Sequence, residues 1–303
     1  LKKENRMYPP LTPVTKNSDR PVPEYGVIDI EASNWINFLI IGYYTKKFKV
    51  TRNLKKKVIK REPDGEICEL FEDMGECVSW LFSEDQPCNT IFAHFGGKYD
   101  FQFLLKEFFA QRDRFYIDGM IPRGSGLLCM TVSTMETVRS KPKDKFFIKD
   151  LGNGLWLKKK RSITFKDSSA MLPFSLAMLT KNFGVEHKKK DFDFATMTKV
   201  TEELKEYLVY DLKGLYEVIE KYYEWPMIRE AGFASTIASQ SIKVFQTYLP
   251  KRIRSLTDED DAFVRKSYFG GRTEIFKPCF LQTEDNEILS TFDVNSLYPA
   301  VMR

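Results

Sequence analysis

The sequence has 303 residues, 43% of them hydrophobic and 29% charged, which is enough apolar material for one large domain or two smaller ones and excludes compositional disorder. Lys plus Arg number 47 against 42 Asp plus Glu, a net charge of +5 that is a mild basic bias and no more. Five cysteines (Cys68, Cys77, Cys88, Cys129, Cys279) never form a CxxC pair, and only two histidines accompany them. That excludes a zinc-finger pattern and points to a reducing, intracellular compartment, with nucleus, mitochondrion and cytoplasm left open.

Residues 1–24, with Pro9, Pro10, Pro13, Pro21 and Pro23, read as a linker. Tyr25 to Glu31 is predicted as an apolar strand and Asn37 to Tyr44 as a second, the two forming a hairpin. The apolar run from Trp35 to Ile41 is too short to span a bilayer, no signal peptide is visible, and no membrane is expected as a partner. Cys77 to Phe82 fits a helical turn and Thr90 to Ala93 a short strand. Asp100 to Phe109 carries Phe101, Leu104, Leu105 and Phe108 at helical spacing. Phe146 to Leu151 and Arg161 to Phe165 are predicted strands around the turn Gly152-Asn153-Gly154, and Phe174 to Phe183 a helix ended by Gly184. Thr201 to Glu224 is the clearest helix, capped by Thr201 and striped by Leu204, Leu208, Leu212, Leu215 and Ile219. The cationic runs Lys55 to Lys57, Lys158 to Arg161 and Lys188 to Lys190 read as solvated loops, some able to touch phosphate. Strands first, then helices interleaved with strands, predict an α/β fold with a mixed sheet.

Asp29 and Glu31 stand two apart on the first strand, so both carboxylates project from one face. An edge strand with one wet face would explain them equally well in isolation. Asp100 opens a helix after the loop His94-Phe95-Gly96-Gly97-Lys98-Tyr99, where the glycines let the backbone pass close to a ligand; by itself an Asp at that place is a cap. Tyr207 and Asp211 share a helix face, bordering the Leu stripe, with Lys205 and Lys213 as ordinary ion-pair alternatives. Taken together, Asp29, Glu31, Asp100 and Asp211 offer four negative charges to two Mg²⁺ or Mn²⁺ ions, since hard oxygen donors without His or Cys select those metals. A metal pair activates water and stabilises the leaving oxygen of a phosphodiester.

Read in order, these segments resemble the three exonuclease motifs of family B DNA polymerases: Asp29-Ile30-Glu31, Lys98-Tyr99-Asp100, and Tyr207-x-x-x-Asp211. Tyr268-Phe269-Gly270-Gly271 is similar to the family's YxGG segment, and Asp293-Val294-Asn295-Ser296-Leu297-Tyr298-Pro299 to its first palm motif, DxxSLYP. Lys189-Lys190-Asp191-Phe192 resembles the Kx2h motif of the protein-primed branch. Ser168-Ser169-Ala170-Met171-Leu172 resembles that branch's (S/T)Lx2h motif, with Ser169 in place of Leu.

The resemblance implies a ribonuclease H-like exonuclease fold, a mixed sheet flanked by helices, followed by the beginning of a polymerase palm. Its domains would be a 3′→5′ exonuclease at 25–225, a connecting segment with the YxGG motif at 226–280, and a truncated palm start at 281–303, so the chain reads as a fragment. It implies a proofreading role in DNA replication, with two Mg²⁺ or Mn²⁺ ions on Asp29, Glu31, Asp100 and Asp211. Tyr207 would orient the attacking water and Lys189 would neutralise the phosphate. Implied DNA contacts are His94, Phe95, Ser168, Leu172, Tyr268, Gly270, Gly271 and Arg272, toward a single-stranded 3′ end and a primer-template. In the full-length parent, Asp293 would bind metal and, with Ser296, Leu297 and Tyr298, a deoxynucleoside triphosphate, and a terminal priming protein would be a partner. The later motifs KxxxNSxYG and YxDTD are not in the sequence, so the chain alone is expected not to polymerise. One position departs from the family: Phe95 stands where an Asn normally helps hold single-stranded DNA, and a ring stacks on bases but lacks the amide's hydrogen bonds. His94 could take over that polar contact. A non-catalytic DNA-binding remnant of a mobile-element polymerase is the competing reading, and a free-standing nuclease is disfavoured by the palm motif.

Overall fold

The computed structural model describes residues 10–52, 58–192, 198–254, 256–267 and 301. Contacts divide them into two units, one of residues 10–253 and one running from Arg254 onward. The larger unit contains β1 (Gly26–Ser33), β2 (Asn37–Arg52), β3 (Val58–Phe71), α1 (Met74–Leu81), β4 (Thr90–Ala93), α2 (Asp100–Ala110), β5 (Phe115–Arg123) and β6 (Gly126–Val138). It continues with β7 (Phe147–Gly152), β8 (Leu155–Asp167), α3 (Leu176–Asn182), α4 (Glu202–Glu224), α5 (Pro226–Ala231) and α6 (Ile237–Gln246). In the second unit, α7 (Asp258–Arg265) starts at Thr257, whose hydroxyl accepts from Asp260 N–H, and its acidic first turn suits the positive end of the helix dipole.

One mixed sheet runs β3-β2-β1-β4-β8-β6-β5, with β7 paired to β8. The pairs β1/β4 and β4/β8 are parallel and the rest antiparallel. Alternation along β1 divides the core. Val27, with Ile40, Tyr44 and Phe92, packs under α3, α4 and α5, whereas Ile28 and Ile30, with Ile41, Tyr43 and Ile91, pack under α1 and α2. The expected mixed sheet with helices on its faces is therefore what the chain builds.

The first hairpin, the short strand β4, and helices α2, α3 and α4 lie where the sequence predicts them. Thr201 caps α4 by accepting Leu204 N–H, and Gly184, at φ 59°, follows α3. The turn Gly152-Asn153-Gly154 has positive φ at all three residues. β3, β5 and β6 were not anticipated. The run Lys158 to Arg161 lies within β8, not in a loop: Lys158 pairs with Glu136, Lys159 with Asp118, and Arg161 donates to the Gln86 side-chain oxygen at 2.6 Å. Strand pairing brings acidic partners beside these cations, so the run is spent internally. Residues 10–24 are irregular, as a linker would be, yet they are fastened along α5 and α6. Asn17 N–H reaches the Glu230 carbonyl at 3.1 Å, and Arg20 and Arg229 each donate to the other's carbonyl at 3.1 and 2.9 Å.

Gly42 of β2 lies opposite Asp29 in the hairpin. A methyl group there would come within 2.4 Å of Leu212 and 3.2 Å of Leu208 on α4. The missing side chain lets α4 settle on the sheet beside the two β1 carboxylates. Gly42→Ala is expected to lower stability by about 1–3 kcal/mol through overpacking, read as a lower urea midpoint; an unchanged midpoint would show that α4 is not in close contact at this strand.

Candidate metal centre

β4 pairs with β1 only at Gly26 and Val27, so β1 continues past the end of its parallel neighbour. Beyond that point, at the carboxyl ends of parallel strands where open α/β sheets hold ligands, Asp29 and Glu31 project together toward α4. Tyr207 and Asp211, four apart on α4, face them. Carboxylate oxygens of Asp29, Glu31 and Asp211 all lie within 4.8 Å of one another. Asp100 stands just outside this trio. It is the first residue of α2 but does not cap it: its Oδ1 accepts the Ile30 N–H at 2.9 Å, between the two β1 ligands. The four acids predicted from sequence thus meet at one place.

Bringing them together is electrostatically expensive. Burial, with Asp211 adding to it, raises the Asp29 carboxyl from its ordinary 3.8 to about 7. Burial and then Asp29 raise Glu31 from 4.5 to about 9. Burial and Asp29 lift Asp100 well above its ordinary value, and burial raises Asp211 although Lys189 opposes it. Lys189 supplies the opposing charge. Its ammonium donates to Asp211 Oδ2, and to the Tyr207 hydroxyl at 2.5 Å. The expected partners Lys205 and Lys213 pair instead with Glu72 and Glu202, and with Glu66. Asp211 Oδ1 is buried with no hydrogen-bond partner, an orphan acceptor that a cation would satisfy. Several carboxylates, one ammonium and no nearby thiolate or imidazole fit hard divalent cations such as Mg²⁺ or Mn²⁺.

The residues predicted to grip DNA are distributed differently. Both His94 ring nitrogens are engaged inside the protein, with Ser168 Oγ at 2.9 Å and the Phe174 carbonyl at 2.7 Å, and burial holds its pKa below the ordinary value. Ser168 is fully buried and Leu172 packs in the core under α3 and α4. These three residues therefore fasten the loop after β4 to the turn after β8. Phe95 remains 42% exposed and takes a left-handed φ of 59°. The glycines beside it do admit a close approach, but to protein: a methyl on Gly97 would meet the Leu127 carbonyl of β6. Tyr268, Gly270, Gly271, Arg272, Asp293, Ser296, Leu297 and Tyr298 lie outside the described residues.

Two residues near the acids were not singled out from sequence. Asp167 ends β8, is 6% exposed, and adds to the rise in the Asp100 pKa. Trp35 sits in the β1–β2 turn with Asn34, both at positive φ, where a tight hairpin turn favours glycine. Its ring is 77% exposed and meets Tyr99 edge-on at 6.0 Å. An aromatic at a turn position that prefers glycine was the available signal.

A family profile described as DNA polymerase type B, organellar and viral, matches residues 195–303. The DNA-directed DNA polymerase of Enterobacteria phage PRD1 is 28% identical over 245 residues, covering 78% of this chain and 34% of that protein. The DNA polymerase of Bacillus phage Nf is 29% identical over 179 residues, covering 56% of this chain and 30% of that one. The chain belongs to the type B DNA polymerases. Phi29 DNA polymerase complexed with single-stranded DNA has a similar fold, with a TM-score of 0.53 at 16% identity over 83% of this chain and 40% of that structure. The ternary complex of Phi29 DNA polymerase with primer-template DNA and incoming nucleotides matches with the same TM-score and identity over 84% of the chain. This type B polymerase chain thus spans about a third of the curated relatives it matches. Among its described residues no helix is long and apolar enough to cross a membrane.

The raised carboxyls set a pH dependence. Their folded pKa values exceed the unfolded ones, so the stability they allow is fully present below about pH 4 and is lost as pH rises through the folded values near 7 and 9. A divalent cation binds the ionised forms and reverses the loss. In chelator the Tm should fall from about pH 5 to about pH 9, and the rise in Tm on adding Mg²⁺ or Mn²⁺ should grow over the same interval. Asp29→Asn with Glu31→Gln should flatten both trends. A cation effect of the same size in that variant would contradict the assignment of these ligands.

Proposed function

We propose that residues 10–253 act as a two-metal 3′→5′ proofreading exonuclease on single-stranded DNA ends, within a protein-primed DNA polymerase that serves DNA replication. The convergence of Asp29, Glu31 and Asp211, with Asp100 locked between the first two, carries this reading. Asp29, Glu31, Asp100 and Asp211 would hold the ions. Bound there, two Mg²⁺ or Mn²⁺ ions supply water activation and charge neutralisation at a phosphodiester.

The side chains around the acids have roles that follow from their chemistry. Burial and the charge of Asp211 keep the Tyr207 hydroxyl protonated, so it can donate a hydrogen bond that orients the attacking water. Lys189, fixed beside Tyr207, offers a compact positive charge to the phosphate as negative charge develops. Next to the acids, a cavity of about 370 Å³ is lined by Phe95, Lys98, Arg123, Asp167 and Ser169. Phe95 suits stacking on a base, and the two cations suit the strand's phosphates. In the whole polymerase, Tyr268, Gly270, Gly271 and Arg272 would contact template backbone. Asp293, Ser296, Leu297 and Tyr298 would bind metal and a deoxynucleoside triphosphate, and a terminal protein would supply the priming hydroxyl.

The second reading, a DNA-binding remnant without catalysis, draws its support from Phe95 in place of an amide. One assay separates the two: release of nucleoside monophosphate from a 5′-labelled single strand with Mg²⁺ or Mn²⁺. Asp29→Ala with Glu31→Ala should cost on the order of a thousandfold, the equivalent of several kcal/mol of transition-state stabilisation. Equal rates in parent and variant would reject the exonuclease, and DNA binding by a parent that never cleaves would favour the remnant.

A further inference from the structure

Lys189 lies outside any helix or strand, on the segment that crosses α4 after Gly184. A lysine on an irregular segment has a long, flexible stem, and holding its ammonium at one place requires that the backbone be held first. The structure shows what holds it. Glu217 of α4 takes three hydrogen bonds from the two residues that begin the segment. Its Oε2 accepts the Glu186 and His187 N–H groups at 2.9 and 3.1 Å, and its Oε1 meets His187 Nδ1 at 2.5 Å.

Two further contacts complete the clamp. A methyl on Gly214 would come within 2.4 Å of the His187 carbonyl, so only glycine there lets the segment lie so close to the helix. Thr180 Oγ1 of α3 accepts the Lys189 N–H at 3.2 Å. Tyr207, Asp211, Gly214 and Glu217 follow one another along one face of α4. The upper pair receives the ammonium, and the lower pair fixes the backbone that carries it.

We propose that Glu217 is a positioning residue for Lys189: with Gly214 it docks the 186–189 backbone on α4 so that the ammonium reaches Tyr207 and Asp211. Its catalytic consequence rests on the exonuclease reading; its structural consequence does not. Glu217→Ala frees the two amides and the imidazole, and Lys189 loses its fixed approach. Glu217→Gln keeps one acceptor oxygen and restores part of the docking.

The experiment is a double-mutant cycle on the full chain, with exonuclease rate on a single strand and amide hydrogen exchange of the 184–192 peptide read in parallel. Glu217→Ala should lower kcat about ten- to a hundredfold, as a misplacement of about 1 Å does, with KM little changed and Glu217→Gln intermediate. In a Lys189→Ala background the same change should cost less than about twofold. The peptide should lose protection in Glu217→Ala while peptides from β1 and α2 keep theirs. Multiplicative losses in the double variant, or unchanged exchange in the peptide, would overturn the proposal. Were the parent itself inactive with metal, the exonuclease reading would fail, and the exchange result alone would decide whether Glu217 docks the segment.

Discussion

Like charges do not gather in a protein interior unless something compensates them, and the core of this molecule is arranged around one such gathering. Asp29, Glu31 and Asp211 come within 4.8 Å of one another in a place where Glu31 and Asp211 are almost wholly shielded from water. At an effective dielectric constant of about 20, each such pair at about 4 Å repels by about 4 kcal/mol, and one ammonium, that of Lys189, cannot cancel three or four carboxylates. The raised carboxyl pKa values express that imbalance. An arrangement that costs so much in the absence of cations is the arrangement a cation pair would stabilise.

The rest of the larger unit follows from holding these groups in place. The early end of β4 leaves the Ile30 N–H without a strand partner, and Asp100 takes it. A glycine across from Asp29 brings α4 down onto the sheet, and the Leu204, Leu208 and Leu212 stripe buries it there. Below the acids, Gly214 and Glu217 repeat the device on the other side of α4, where a close-packed glycine and a carboxylate draw a loop against the helix. His94 and Ser168 tie together the loops that follow β4 and β8, the two strands parallel to β1 or its neighbour.

What the sequence makes legible is what local periodicity controls. The two-residue spacing of Asp29 and Glu31, the four-residue spacing of Tyr207 and Asp211, the Thr201 cap and the short strand β4 all follow from rules that act within a few residues. β3, β5 and β6 are harder to see because β2 and its partners carry polar residues on both sides, as Lys46, Lys47 and Lys49 do, so apolar alternation is lost. The direction of single polar side chains is also non-local. Ser168 meets a histidine 74 positions away, and Lys189 a carboxylate 22 positions away. Family motifs placed Ser168, Leu172 and His94 on DNA, whereas their partners here are within the protein. Trp35 and Asp167 went unnoticed because a lone aromatic or acid has no pattern until the turn and the strand end that hold it are known.

Anomalous scattering from crystals soaked in Mn²⁺ tests the central claim most directly. The account predicts manganese peaks ligated by Asp29, Glu31 and Asp211, with Asp100 at or beside the second ion, and loss of those peaks in the Asp29→Asn, Glu31→Gln variant. Well-ordered crystals of the parent with manganese bound elsewhere and none among these carboxylates would contradict it.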